Sequence, residues 1–288
     1  MFREAPIRKA VFFNTIPAML SMLMALAYNL ADTLFVGMTK DAYMVAAVSF
    51  ALPVFMIALA TGTLLGIGGT SVISRAMGAG QQQRAKKASA FCFWIGLCIG
   101  IICLTVFRLF AGQISIALGA VSAETYQYTK DYLSTVAWSA PFIIIANAYS
   151  NILRAEGQSI HAMIGLTLGN LVNIILDPVM ILGLCGCPAM GITGAAIATV
   201  IGNFVGAVYY IAYFLSGKSM LSIKFRDVSF RDRIPQEVFS VGIPASLISL
   251  TMSVATIIIN GQMVEVGHEL RSMVYRYTGK SCDGQKLC

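Results

Sequence analysis

Residues 170–184 read NLVNIILDPVMILGL. Asp177 stands there in a run of Leu, Ile, Val and Met, with Pro178 directly after it. A lone carboxylate in an apolar core is costly, and inside a bilayer it is costlier still. Its surroundings settle which of the two it occupies. The 288-residue chain is 57% hydrophobic and 11% charged, against about 25% charged residues in a soluble domain. It is therefore expected to be an all-α integral membrane protein. Its 15 Met and 26 Gly suit tightly packed membrane helices, because glycine lets backbones approach closely.

A spanning helix needs about 20 apolar residues. Seven segments qualify: 11–36, 44–72, 88–110, 132–153, 161–184, 191–215 and 238–260. The first is too long for a signal-peptide core and lacks a small-residue cleavage site, so it reads as a span. The fourth is the most polar. Glycine pairs four residues apart occur at Gly62/Gly66, Gly96/Gly100, Gly165/Gly169 and Gly202/Gly206, each placing two small residues on one helix face.

Seven spans alternate sides of the membrane. The side of the N-terminus holds Arg3, Arg8, Lys9, Arg75, Arg84, Lys86, Lys87, Arg154, Lys218, Lys224, Arg226, Arg231 and Arg233. The other side, before the tail, holds Lys40, Arg108 and Lys130. The positive-inside rule makes the first side cytoplasmic. Topology thus accounts for the net charge of +7, and no nucleic-acid partner is expected. Cys92, Cys98 and Cys103 fall in an apolar run and act as small hydrophobes. Cys185 and Cys187 are too close together for a zinc site or a disulfide framework. No metal centre or redox chemistry is expected.

Two acidic residues lie inside spans, Asp32 and Asp177, while Glu237 is interfacial. Helices one and five run in the same direction. At a rise of about 1.5 Å per residue, Asp32 and Asp177 lie roughly 9 Å and 6 Å past their helix midpoints. Both acids belong to the outer half of the membrane, where they can line one cavity. Tyr28 shares a face with Asp32, and Asn170 and Asn173 share one with Asp177. Pro178 removes a backbone donor and frees the carbonyl of residue 174. Thr199 on helix six falls near the same level. Carboxylate, amide, hydroxyl and carbonyl oxygens together suit a proton or a small hard cation such as Na⁺. Asn147 and Asn151 on helix four point toward the inner half, either lining a lower cavity or holding helices together.

Five motifs in order carry a family resemblance: IPAML…YNLADTLFVG, SRAMGAG, NILRAEGQ, NIILDP and GITGAAIAT. Together they resemble the multidrug and toxic compound extrusion (MATE) transporters, most of all the bacterial DinF-like branch. The likeness covers roughly residues 1–260. It implies two six-helix lobes forming a V. It also implies export of organic, cationic or amphipathic compounds in antiport with H⁺ or Na⁺, and no enzyme activity or cofactor beyond that coupling ion. Carried over by motif, the ion site is Asp32, Tyr28, Asn173, Asp177 and Thr199, the last after a four-residue insertion around CGCP. The expected location is the bacterial inner membrane, with the N-terminus cytoplasmic.

Ile16, Pro17, Ala18, Leu20 and Leu23 match Ile243, Pro244, Ala245, Leu247 and Leu250 at one offset, and Phe12 matches Phe239. Helix seven therefore reads as the first helix of a second, parallel repeat, with Ile259 opposite Asp32. The expected organisation is a six-helix lobe over 1–215, a basic cytoplasmic linker over 216–237, the opening helix of a second lobe over 238–260, and a polar tail over 261–288. The rest of the second lobe is expected to be missing, by truncation, frameshift or partial sequence.

The expected partners are the bilayer, small organic cations or amphiphiles and, for so short a chain, a second copy of itself. Thr278–Ser281 (TGKS) imitates a phosphate-binding loop, but Val274 stands where that loop needs glycine and no strand precedes it. A seven-helix receptor is opposed by the inside N-terminus and by the lack of a Lys in helix seven. A lipid-linked oligosaccharide flippase, which would want more cationic residues in its cavity, and a non-transporting fragment stay open as alternatives.

Overall fold

The computed structural model describes residues 7–39, 41–120, 122–183, 186, 188–230 and 232–278. In order, the helices are α1 (Ile7–Met38), α2 (Ala42–Gly78), α3 (Gln82–Leu109), α4 (Ala111–Ala117), α5 (Ala123–Val136), α6 (Ala140–Ala155), α7 (Ser159–Leu182), α8 (Gly191–Leu215) and α9 (Ile234–Thr278). Among the described residues, seven stretches are long and apolar enough to cross a membrane: Phe12–Met38, Tyr43–Gly78, Gln82–Leu109, Ala123–Ala155, Ser159–Leu182, Gly191–Leu215 and Ile234–Ile259. Each overlaps one of the seven expected segments. The fourth is built from α5 and α6 joined by a 3₁₀ turn at Ala137–Ser139. Pro141 sits in the first turn of α6, where its missing N–H costs nothing and a new helix can start. This most polar span is also the most enclosed, with 78% of its apolar window buried. Its polar side chains meet protein rather than lipid.

The glycine pairs act as helix contacts. A Cβ on Gly169 would stand 2.8 Å from the Gly202 carbonyl oxygen, and one on Gly202 would stand 2.7 Å from that of Gly169. On α2, Gly62 meets Asn147 and Gly66 meets Ala148 of α6, while Gly100 of α3 meets Pro141. With lipid outside, no hydrophobic driving force pulls helices together, so small residues that permit backbone contact do this work. Gly68 and Gly242 extend the device to α9, lying against the carbonyls of Val238 and Leu64 respectively. Buried tyrosines close the core. Tyr149 donates to the Ser89 carbonyl at 2.8 Å and Tyr210 to that of Ala162 at 2.7 Å, which satisfies each phenol away from water.

Polar signals set the helix ends. Asp41 caps α2 by accepting from the Tyr43 N–H at 2.9 Å, and Ser122 caps α5 through the Thr125 N–H at 3.3 Å, as short oxygen-bearing side chains do. α7 ends at Gly183, whose φ of 74° is the left-handed conformation glycine tolerates. The stretch between α8 and α9 packs onto α3: Leu221 and Ile223 are buried, and the Trp94 indole donates to the Ile223 carbonyl at 3.1 Å. Arg75 and Arg84 pair with Glu237 at 3.3 and 2.7 Å, and Lys87 with Asp232 at 3.2 Å. These ion pairs tie the start of α9 to the adjacent ends of α2 and α3.

α9 runs unbroken to Thr278, well past the expected span end near residue 260. The sequence beyond Asn260 holds no proline and many good helix formers, so the helix continues after its apolar stretch stops. Cys185, Cys187, Cys282, Cys288 and Gly279–Ser281 of the TGKS stretch lie outside the described residues. Proline well inside both α1 (Pro17) and α9 (Pro244), at the same distance from each helix start, leaves each helix continuous, in keeping with the sequence repeat.

Candidate ion and substrate site

A cavity of about 540 Å³ opens between α1, α2, α5, α6, α7 and α8. From α1 it is lined by Ser21, Tyr28, Asn29 and Asp32, and from α5 by Tyr132. α6 contributes Asn147, Ser150, Asn151 and Arg154, α7 contributes Asn170 and Asn173, and α8 contributes Thr199 and Asn203. Helical spacing makes this lining possible: Ser21, Tyr28 and Asp32, and Asn147, Asn151 and Arg154, recur at three, four or seven residues and so share a face.

Four of the five residues assigned by motif, Tyr28, Asp32, Asn173 and Thr199, line the cavity, and the fifth, Asp177, is buried one turn beyond Asn173 on α7. Asn173, Asp177 and Thr199 are 3%, 0% and 4% exposed. The Asn173 Nδ2 reaches Thr199 Oγ1 at 3.4 Å, and that hydroxyl donates to the Ala195 carbonyl at 2.9 Å. Asn203 Nδ2 donates to the Thr199 carbonyl at 2.8 Å. Tyr28 lies beside Thr199 and within electrostatic reach of both Asp32 and Asp177, which also act on each other. Both oxygens of Asp177 and Oδ1 of Asn173 are buried with no hydrogen-bond partner. Three such acceptors on residues one turn apart in α7 are unusual, because buried polar atoms are nearly always paired. Beside them, Pro178 leaves the Ile174 carbonyl without its usual donor.

Asn170 lines the same cavity. Asn147 and Asn151 do so as well, and Asn147 also ties α6 to α2. Asn147 Nδ2 donates to the Leu59 carbonyl at 3.2 Å and to Thr63 Oγ1 at 3.3 Å, and Asn151 Nδ2 donates to the Asn147 carbonyl at 2.9 Å. Asn147 thus both lines the cavity and joins two helices, whereas the Asn151 bond stays within α6.

Several lining residues went unrecognised in the sequence. Tyr132 is buried and within electrostatic reach of Asp32, Tyr28 and Asp177. Asn29 and Asn203 are amides inside apolar spans, which is a readable signal, and Asn203 follows Thr199 by one turn. Arg154 counted only as an orientation charge, but it turns into the cavity.

An acid-and-amide cluster thus stands beside a cavity between membrane-length helices, and comparison with known proteins gives this arrangement a family. The family described as MatE matches residues 17–179. The multidrug export protein MepA of Staphylococcus aureus (strain MSSA476) is 33% identical over 93% of this chain and 58% of its own length. A solved structure described as the outward-facing conformation of a multidrug resistance MATE family transporter is 31% identical, with a TM-score of 0.78, over 86% of this chain and 54% of that one. Another, described as the inward-facing conformation of such a transporter, is 29% identical with a TM-score of 0.76, over 88% and 56%. The chain belongs to the MatE family of multidrug efflux transporters. It spans a little over half the length of the relatives it matches, comprising the first six-helix lobe and the first helix of the second.

Proposed function

We propose that this chain supplies the ion-binding lobe of a secondary transporter that exports organic, cationic or amphipathic compounds in antiport with H⁺ or Na⁺. The observation that carries this reading is the trio of orphaned oxygens, Asp177 Oδ1 and Oδ2 and Asn173 Oδ1. A carboxylate without donors inside a membrane is tolerable when a proton or a cation neutralises it. The oxygen set of Asp32, Tyr28, Asn173, Asp177 and Thr199 suits a hard monovalent cation or a proton. Ion loading relieves the repulsion between Asp32 and Asp177. It thereby favours a different seating of α1, the least buried of the seven spans and packed chiefly on α7. Tyr28, Asn29 and Asp32 move with that helix, so the cavity loses its grip on an organic cation. The coupling works only to the extent that ion and drug bind the two seatings with different affinity.

The thirteen-to-three basic bias supports a cytoplasmic N-terminus in a bacterial inner membrane. The second wall of the pathway comes from a second lobe.

The test is ion-dependent stabilisation of the purified chain followed by efflux. Wild type should gain thermal stability with Na⁺ or with falling pH, because anything that binds only the folded state stabilises it. Asp32→Asn and Asp177→Asn should each remove that gain. In a full-length transporter carrying this lobe, both should abolish gradient-driven dye efflux while the protein stays in the membrane. Wild-type efflux in both variants would sink the ion-site reading.

A further inference from the structure

The cavity is charged at both ends. Among its described lining residues, only Asp32 and Arg154 carry a full charge. Arg154 stands in the last turn of α6. A cation there suits the helix dipole, and on that account alone it would turn outward to the interface. Instead its Nη2 crosses to α1 and donates to Ser21 Oγ at 3.2 Å. The Ser21 proton is already given to the Ala18 carbonyl at 2.8 Å, so Ser21 offers Arg154 only a neutral lone pair. Among the described residues no carboxylate lies within ion-pair distance of this guanidinium. A guanidinium presents five N–H donors in a planar fork that matches carboxylate and phosphate oxygens. Here the residue lines the cavity, and Ser21 engages one nitrogen of that fork. Ser21 and Asp32 are eleven residues apart on one helix, which sets the two charged ends about 16 Å apart.

Resting on the reading of the cavity as the transport pathway, we propose that Arg154 is an anion-binding subsite at the end opposite the ion site. It takes the carboxylate, sulfonate or phosphate of an amphiphile whose body extends toward Asp32. The cavity thus accepts ligands carrying an acidic group as well as simple cations. The same chemistry is offered by an acidic solute and by the head group of an acidic lipid.

The experiment uses the full 288-residue chain in neutral detergent and two dyes that differ in one group, rhodamine B with its free carboxylate and rhodamine B ethyl ester. Binding is read by fluorescence polarisation. Arg154→Gln should weaken rhodamine B by about 10-fold or more, as expected for losing a charged hydrogen bond, and leave the ester unchanged. Arg154→Lys, which keeps the charge but not the fork, should fall between. On unmutated protein, a naphthoate amphiphile and dihexanoyl phosphatidic acid are added as competitors. The one that displaces rhodamine B at lower concentration identifies the source, solute or lipid, and displacement by neither overturns the subsite. Equal weakening of both dyes by Arg154→Gln also overturns it while leaving the transport reading intact, because ester binding retains its own sensitivity to Asp32→Asn. Failure of both dyes to bind wild type overturns both readings.

Discussion

Gly202→Ala offers a test of the site that touches none of its oxygens. The added Cβ would stand 2.7 Å from the Gly169 carbonyl oxygen and 2.9 Å from the Asn173 Cβ. Ordinary contact begins near 3.4 Å, so α7 and α8 must part by about 0.7 Å. Neither neighbour is a flexible side-chain end, and the strain falls on Asn173 itself. Asn173 and Thr199 are joined at 3.4 Å, so a further 0.7 Å breaks that pair and draws Thr199 of α8 away from Asn173 and Asp177, which stay together on α7. Overpacking of this kind costs about 1–3 kcal/mol, partly offset by the roughly 1 kcal/mol that alanine gains over glycine in a helix. Global stability should therefore fall by no more than about 2 kcal/mol. Ion binding should suffer more, because losing one ligand oxygen from a charged site is worth about 1.5–3 kcal/mol, or roughly 10- to 150-fold in affinity. The assay is the Na⁺- or proton-dependent shift in thermal unfolding of the purified chain. Two controls grade the argument. Gly206→Ala meets the Gly165 carbonyl at 3.2 Å and should have a small effect, and Gly37→Ala meets nothing within 4 Å and should have none. A full ion-dependent shift in Gly202→Ala, or an equal loss in Gly37→Ala, would refute the reasoning.

Three more outcomes are expected. A cysteine at exposed Gln82 should be labelled only from the cytoplasmic side and one at exposed Ala123 only from outside; reversed labelling would overturn the orientation. Glu156 accepts from the Ser219 hydroxyl and the Met220 N–H just beyond the α6 end, and burial holds its carboxyl above the usual range. Its folded state binds the proton more tightly than its unfolded state, so its contribution is fully present below the ordinary carboxylate pKa and is lost as pH rises through the raised value. Glu156→Gln should flatten the decline of unfolding temperature over that window, and an unchanged slope would discount the residue. A polypeptide of residues 1–288 expressed alone should insert and bind its ligands but give no ion-driven dye efflux, since alternating access needs a second half to move against. Efflux clearly above an empty-vector control would contradict that.

Much of this protein is written in runs of residues. Among the described residues seven apolar stretches overlap their expected places, though the fourth begins at Ala123 rather than at residue 132, because a helix crossing lipid must satisfy its own backbone and meet a fixed thickness. Asp32, Asp177, Asn173 and Thr199 were legible for the same reason: polar groups stand out where the solvent is hydrocarbon. The glycine pairs were visible too, but which helix each one meets was not. Only the tertiary structure sets Gly169 against Gly202 and Gly68 against Val238, since four-residue spacing names a face and never its partner. The same limit hid Tyr132 and Arg154. A tyrosine or an arginine near a helix end serves equally well as an interfacial anchor, and its sequence surroundings are alike in both roles. Whether such a side chain turns out to the headgroups or in to a cavity depends on where the neighbouring helices leave room. Arg154 turns in because Ser21, 133 residues away in the chain, is set opposite it.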